Sequence, residues 1–366
     1  PGDGGDERTR ADDEGRYVVQ RGATLGADGR YELRGELDTG TFCTVADAYD
    51  RDEQRAVALK VVRAVPKYAE LAEDEIAVLK HVAHFDERGL GGCAPLLAHF
   101  RAGGHQVLVF ERYGPSLYRF LKRNDKRPFS VDHIAHIGYQ LCTAVAVLHD
   151  MRLIHTDLKP ENVLFIDGAY HEVDDGGPHA VYGKAPRVGP RRVPSSLRTV
   201  LVDFGAATFE WQHHTRVVCT RQYRAPEVIL ELGWSYPLDM WSIGAILAEL
   251  YTGEPLFNTH HTHEHLALIE RIVGHMPRAI MPPAASPLRA VFDRDCRVRV
   301  PDESRRYVAA TSPLDRVVSP AHRTLFQLLR RMLQTNPAKR VSPRDALKQP
   351  FFESVRRKYD PLDSFS

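Results

Sequence analysis

The stretch "HTDLKPENVLF", His155 to Phe165, reads as a loop running into a short apolar strand, with a carboxylate and an amide separated by four residues. Asp157 could face a substrate hydroxyl, and Asn162 could offer an amide oxygen to a metal ion. A second stretch, "ELDTGTFCTVADAY" from Glu36 to Tyr49, sits upstream of "AVALK", where a phosphate-cradling loop is expected. Such loops usually read G-x-G-x-x-G-x-V. Here only Gly40 remains, with Asp38 and Cys43 at the outer glycine positions. Together the two stretches point to a phosphoryl group and a hydroxyl, and they raise the question of whether the loop is damaged or tuned.

Alone, D-x-x-x-x-N is a weak signal. With the intervening "LKPE" it resembles the catalytic loop of eukaryotic protein kinases acting on Ser and Thr, and the rest of that family's set follows at kinase-like separations. The resemblance implies that Lys60 in "AVALK" holds the α and β phosphates of ATP, that Glu75 in "EDEIAVL" fixes Lys60 by an ion pair, and that Asp203 of "DFG" binds Mg²⁺. It implies Asp157 as the residue that accepts or orients the hydroxyl proton, Asn162 as ligand of a second Mg²⁺, and Lys159 as the charge that neutralises the transferred group. Nucleotide contacts are expected from Leu37, Asp38, Gly40, Phe42, Cys43, Val45, Ala58 and Leu164. Phe110 is expected as a bulky gatekeeper, and Glu111 and Tyr113 as backbone partners of adenine. Glu227 of "APE" is expected to pair with Arg340 in "NPAKR", and Asp239 in "DMWSIG" to anchor the catalytic loop. Singly, each is an ordinary surface or core residue. Their order and spacing remove that reading.

"EHLALIERIVG", Glu264 to Gly274, closely resembles the E-H-L-A-M-M-E-R signature of the LAMMER, or CLK, kinases of the CMGC group, and "QHHTRVVCTRQYRAPEVILELGWS" is similar to their activation segment. The resemblance covers about Tyr31 to Glu353. Leu268 and Ile269 replace the two methionines with side chains of similar volume. Thr156 stands where such loops usually carry the Arg that receives an activation-loop phosphate, so the catalytic conformation is expected to form without that phosphate, with Arg224 bonding locally. The family implies a nuclear, monomeric catalytic domain of dual specificity acting on Arg/Ser-rich proteins of RNA processing, with neither nucleic acid nor membrane as direct partner. Chromosome segregation is an alternative pathway. A pseudokinase or scaffold, or an Arg-Ser-peptide adaptor, is the alternative class, and the presence of Lys60, Asp157, Asn162 and Asp203 favours the enzyme. The basic runs "RVGPRRVPSSLR" and "RDCRVRV" do not match the acidic pockets that Arg-rich peptides require.

The elements that must position these residues change character along the chain. Alternating patterns in "YELRGELDTGTFCTVADAYD", "RAVALKVVRA" and "HQVLVFERYG" predict strands, and Leu71, Ile76, Leu79 and Val82 predict a helix between them. Beyond Gly114, "SLYRFLKR", "VDHIAHIGYQLCTAVAVLHDM", "PLDMWSIGAILAELYTG", "EHLALIERIVG" and "HRTLFQLLRRMLQ" carry helical apolar stripes. The fold expected is α+β and bilobal, the protein kinase fold. Its parts are a flexible leader 1–30 with a short strand at "RYVVQ", a β-rich lobe 31–112, a helical lobe 113–356 with a surface insert 167–198, and a tail 357–366.

With 49 basic and 48 acidic residues in 366, no global charge selects nucleic acid or an anionic membrane. Five scattered cysteines without a C-x-x-C pair argue for a reducing compartment, and no apolar run suits a signal peptide or membrane span. The run "NTHHTHEH" reads as polar surface rather than a metal site. Cys43 is weighed as a reachable thiol. Asp38, at about 8 Å from the phosphates, would cost ATP binding roughly 0.5 to 2 kcal/mol. Cys43 in a glycine position would add about 1 kcal/mol of strain if its φ were unfavourable.

Overall fold

The structure, a computed structural model, describes residues 11–359 except 88, 90, 175–178, 182, 183 and 188. They fall into two compact units: one runs to Gly114 and includes Val202–Gly205, the other holds Pro115–Leu201 and the chain from Ala206 onward. The expected division, between residues 112 and 113, lies two residues earlier and leaves Val202–Gly205 with the second part.

The first unit is built on β1 (Thr24–Leu25), β2 (Tyr31–Thr39), β3 (Cys43–Asp50), β4 (Arg55–Val62), β5 (Ala98–Ala102) and β6 (His105–Glu111), with α1 (Pro66–Phe85) between β4 and β5. The strands form one antiparallel sheet in the order β1-β2-β3-β4-β6-β5. Alternation fixes its two faces. Ala46, Ala48, Val57, Leu59, Val61, Val107 and Val109 bury on one face, while Val45, Ala58, Lys60 and Phe110 turn to the other. Helix α1 buries Ala72, Glu75, Ile76, Val78, Leu79 and Val82. Leu71, expected on that stripe, is one position off it and 41% exposed.

Residues 11–30 correct the expectation of a flexible leader. Tyr17 and Leu25 are 4% and 3% exposed and belong to the sheet core, with Val19 and Ala23 packed against it. They cover apolar sheet surface that would otherwise meet water, which outweighs the polar composition of the segment. "RYVVQ" contributes only an isolated bridge, Ala11 with Tyr17. The first ten residues of the leader and residues 360–366 of the tail lie outside the described residues.

The second unit is mostly helical. Helices α2 (Leu117–Arg123) and α3 (Val131–Asp150) start behind Ser116 and Ser130, whose hydroxyl oxygens accept the Arg119 and His133 N–H groups. Short strands follow: β7 (Leu153–Ile154), β8 (Val163–Phe165), β9 (Tyr170–Val173), β10 (His179–Val181), β11 (Lys184–Arg187), β12 (Arg191–Pro194), β13 (Thr199–Leu201) and β14 (Thr208–Phe209). The insert contains two antiparallel pairs, β9 with β12 and β10 with β11. Asn124 holds its base by bonding both the N–H and the carbonyl of Arg192, at 2.8 and 3.0 Å.

The remaining helices are α4 (Pro226–Ile229), α5 (Pro237–Thr252), α6 (Thr262–Ile272), α7 (Arg305–Ala310), α8 (Leu314–Val317), α9 (Arg323–Met332), α10 (Pro343–Leu347) and α11 (Glu353–Tyr359). Helix α5 is buried nearly all round and packs against α3 and α9. Gly244 permits that approach, since a Cβ there would stand 2.9 Å from the Met332 Cβ. Gly253 ends α5 at φ 80°, where a Cβ would lie 1.9 Å from the Lys126 carbonyl oxygen.

Candidate functional site

In the first unit, β4 places Lys60 on the sheet face opposite the core, and α1 turns Glu75 toward it. The Lys60 ammonium donates to both Glu75 oxygens at 2.7 and 2.8 Å and to Asp203 Oδ1 at 2.8 Å. Burial works against the charge on Lys60, but the Asp203 and Glu75 carboxylates outweigh it and hold the amine well above the ordinary lysine range. Glu75 is 4% exposed, whereas Asp203 is 44% exposed. The Asp203 backbone sits at φ 65°, a strained conformation for a residue with a Cβ.

The same sheet face carries Val45 opposite Lys60 in the β3–β4 register, and Ala58 opposite Phe110 in the β4–β6 register. Leu37 is the extra residue at a register shift in β2, between Glu36 and Asp38. The Asp38 carboxylate accepts the Thr39 N–H at 3.0 Å. Phe42 is 56% exposed and packs edge-on against Tyr68, so its ring turns to α1 rather than to the Lys60 face. Gly40 has no positive φ, and a Cβ on it would meet only the Cys43 carbonyl, at 3.9 Å. Cys43 lies in regular β3 opposite Val62 without a positive φ, which overturns the expected strain cost. Burial pushes its thiol up to about 11 despite nearby Lys60, so it is protonated at neutral pH and is a poor nucleophile. Glu111 is exposed, and Tyr113 is buried with its carbonyl accepting from the Arg112 guanidinium.

In the second unit, the loop after β7 is fixed from beneath by Asp239 on α5. Fully buried, Asp239 accepts the His155 and Thr156 N–H groups at 3.0 Å each and meets His149 Nε2 at 3.0 Å. These bonds hold Thr156 at φ 66°, unusual for a β-branched residue, while its hydroxyl donates to the Ala206 carbonyl at 2.7 Å. Asp157 Oδ1 accepts from the Thr220 N–H and hydroxyl, both at 2.8 Å, and Oδ2 accepts from Lys159 at 2.5 Å. The Asn162 amide nitrogen donates to the Asp157 carbonyl at 3.0 Å. That orientation leaves its oxygen as an acceptor, the donor type a hard cation requires. Leu164 follows directly in β8, half-buried and bridged to Ser116.

The activation segment is tied down locally. Arg224 donates to the Val218 and Cys219 carbonyls at 2.9 and 2.7 Å. Glu227 and Arg340 form a two-bonded buried pair at 2.6 and 2.8 Å, with the guanidinium over the Trp241 ring. In the histidine run His260, His261 and His263 are exposed, as a polar surface requires, and only His265 departs from that expectation. His265 is fully buried on α6, and burial with the nearby Arg221 and Arg224 charges pulls it down to about 3, so it stays neutral. Among the described residues no group of His, Cys, Asp and Glu could hold a metal ion by itself.

Within the first unit the fixed Lys60 ammonium is of the type that binds polyphosphate, and within the second unit Asp157 is a carboxylate oriented by three donors. The protein kinase domain model matches residues 31–352. Human dual specificity protein kinase CLK1 is 41% identical over 96% of this chain and 72% of its own, and serine/threonine-protein kinase AFC1 of Arabidopsis thaliana is 39% identical over 96% and 76%. The chain belongs to the protein kinase family, in its LAMMER (CLK) branch. A crystallised kinase domain superimposes on the kinase with a TM-score of 0.85 at 33% identity, covering 93% of this chain and all of that one. Protein kinases as a family use ATP and Mg²⁺ and act on protein substrates. No helix among the described residues of the kinase is long and apolar enough to cross a membrane.

Sequence reasoning brought Lys60, Glu75 and Asp203 together, and separately Asp157, Lys159 and Asn162. It missed Thr220, which lies in the quoted activation segment five residues before Ala225. A lone Thr in a polar stretch carries no pattern that marks it.

Proposed function

We propose that this kinase transfers the γ-phosphoryl group of ATP to Ser or Thr hydroxyls, with Lys60, Glu75 and Asp203 holding the phosphate side and Asp157, Lys159 and Asn162 serving the hydroxyl side. The observation that carries this reading is the set of three donors on Asp157: Thr220 twice and Lys159 once. They fix the carboxylate so that it can take or steer the hydroxyl proton, while the Lys159 ammonium is at hand for charge developing on the transferred group. Lys60 enters the reaction already charged and aimed, which spares reorganisation during transfer. The Asp203 carboxylate and the Asn162 amide oxygen are the ligands expected for Mg²⁺, which when bound neutralises phosphate charge. Leu37, Val45, Ala58, Phe110 and Leu164 would line the adenine side, with Glu111 and Tyr113 at the backbone.

By analogy with relatives named dual specificity kinases, Tyr autophosphorylation belongs to the same proposal. So do Arg/Ser-rich substrates, a nuclear setting and a monomeric catalytic domain. The test is phosphorylation of an Arg-Ser repeat peptide and a matched acidic peptide by wild type and Asp157→Asn. A loss of about a thousandfold or more in kcat is expected for the variant, with preference for the basic peptide in wild type. Undiminished transfer by Asp157→Asn would overturn the catalytic assignment, and preference for the acidic peptide would overturn the substrate assignment.

A further inference from the structure

The β2–β3 loop has no residue at positive φ and is closed by the Gly40 N–H donating to the Cys43 carbonyl at 2.9 Å, and one contact from outside it reaches both Thr41 and Phe42 at the tip. Arg63, just past β4, is that contact. Its backbone N–H donates to the Phe42 carbonyl at 3.0 Å, and Nη1 donates to the Thr41 carbonyl at 3.0 Å. The other edge of the guanidinium faces the segment before β1: Nε and Nη2 donate to the Glu14 carbonyl at 3.2 and 2.6 Å. The Arg63 side chain is 13% exposed and its guanidinium lies 5.6 Å from the Tyr68 ring centroid, the ring that Phe42 meets edge-on.

The segment is itself built to hold Glu14 in place. Asp12 Oδ1 accepts the Glu14 and Arg16 N–H groups at 3.0 and 2.8 Å, and Gly15 turns the chain at φ 75°. The Ala64 N–H donates to the Gly15 carbonyl at 2.8 Å, and buried Tyr17 pins the end through Thr44 and an edge-on contact with His105. One guanidinium therefore joins two chain segments through backbone carbonyls, using charge-assisted bonds.

We infer that Arg63 is a positioning residue for the phosphate loop, clamping the loop tip to residues 12–17 and so setting affinity for ATP. The inference rests on the reading of β2–β3 as the phosphate loop. Three variants and one control test it in the full chain: Arg63→Met, Arg63→Lys, Asp12→Ala and Asp203→Asn. Arg63→Met is expected to raise KM for ATP about fivefold or more with kcat within about twofold, and to speed hydrogen exchange of the loop amides without nucleotide. Asp12→Ala, which loosens the segment without touching Arg63, is expected to move both readouts in the same direction by less. Arg63→Lys should fall between wild type and Arg63→Met, since one ammonium cannot span both carbonyls. Full recovery of KM by Arg63→Lys with loop exchange still fast would assign the effect to charge and overturn the clamp. Unchanged KM and unchanged exchange in Arg63→Met would also overturn it. If Asp203→Asn abolishes transfer in that same experiment, the clamp alone has failed; if Asp203→Asn stays fully active, the site reading has failed.

Discussion

Asp38 and Cys43 stand where a phosphate loop usually has glycine, and the two replacements have different consequences. Cys43 is a regular strand residue with a protonated, partly buried thiol, so it neither strains the loop nor offers a ready nucleophile. Asp38 is exposed and bonded to the Thr39 N–H, which fixes its carboxylate near the loop without removing its charge. If bound phosphates lie about 8 Å from it, that negative charge would weaken ATP binding by roughly 0.5 to 2 kcal/mol. Asp38→Gly is therefore expected to lower KM for ATP several-fold to about thirtyfold, with kcat nearly unchanged, in steady-state kinetics at low salt. An unaltered KM would remove the charge argument.

At the scale of elements, the activation segment and the catalytic loop are held by different means from those of a kinase that waits for a phosphate. Thr156 spends its N–H on Asp239 and its hydroxyl on Ala206, while Arg224 is committed to the Val218 and Cys219 carbonyls. No arginine in the 156 position is left to receive a phosphate. The expected outcome is that phosphatase-treated enzyme keeps most of its peptide kinase activity, and a loss of nearly all activity would contradict it. The elements themselves were legible where local pattern decides, in the strand alternation around Lys60 and the five helices beyond Gly114, whereas the Glu227–Arg340 pair, 113 residues apart, was expected only through the family resemblance. Residues 11–30 were not, because their burial depends on a sheet face formed by distant strands, which composition does not reveal. Leu71 failed for a smaller reason, being one helical position from the stripe its neighbours bury. Thr220 and Arg63 were invisible because their roles come from contacts across long sequence separations, made partly through backbone carbonyls.

For the whole molecule, stability against pH combines two buried groups with opposite signs. Burial, reinforced by Glu161 and Glu254 against the pull of Tyr223 and Lys126, raises Glu249 to about 7. Between its ordinary value near 4.5 and about 7, the folded state holds a proton that the unfolded chain has lost, so stability falls as pH rises through that window. His265, held near 3, is neutral in the fold while the unfolded imidazole protonates below about 6.5, so stability falls as pH drops from there. Each slope is at most about 1.4 kcal/mol per pH unit, and between about 4.5 and 6.5 they largely cancel. Glu249→Gln should unmask a stability loss toward acid, and His265→Gln a gain, in denaturant titrations across that range. Parallel profiles for both variants and wild type would refute the assignment. The central claim, that this chain is a catalyst acting through the Lys60–Asp203 and Asp157 groups, is tested most directly by transfer of labelled γ-phosphate from Mg-ATP to myelin basic protein. Wild type should label the substrate and Asp203→Asn should not; equal labelling by the two would contradict catalysis by this site.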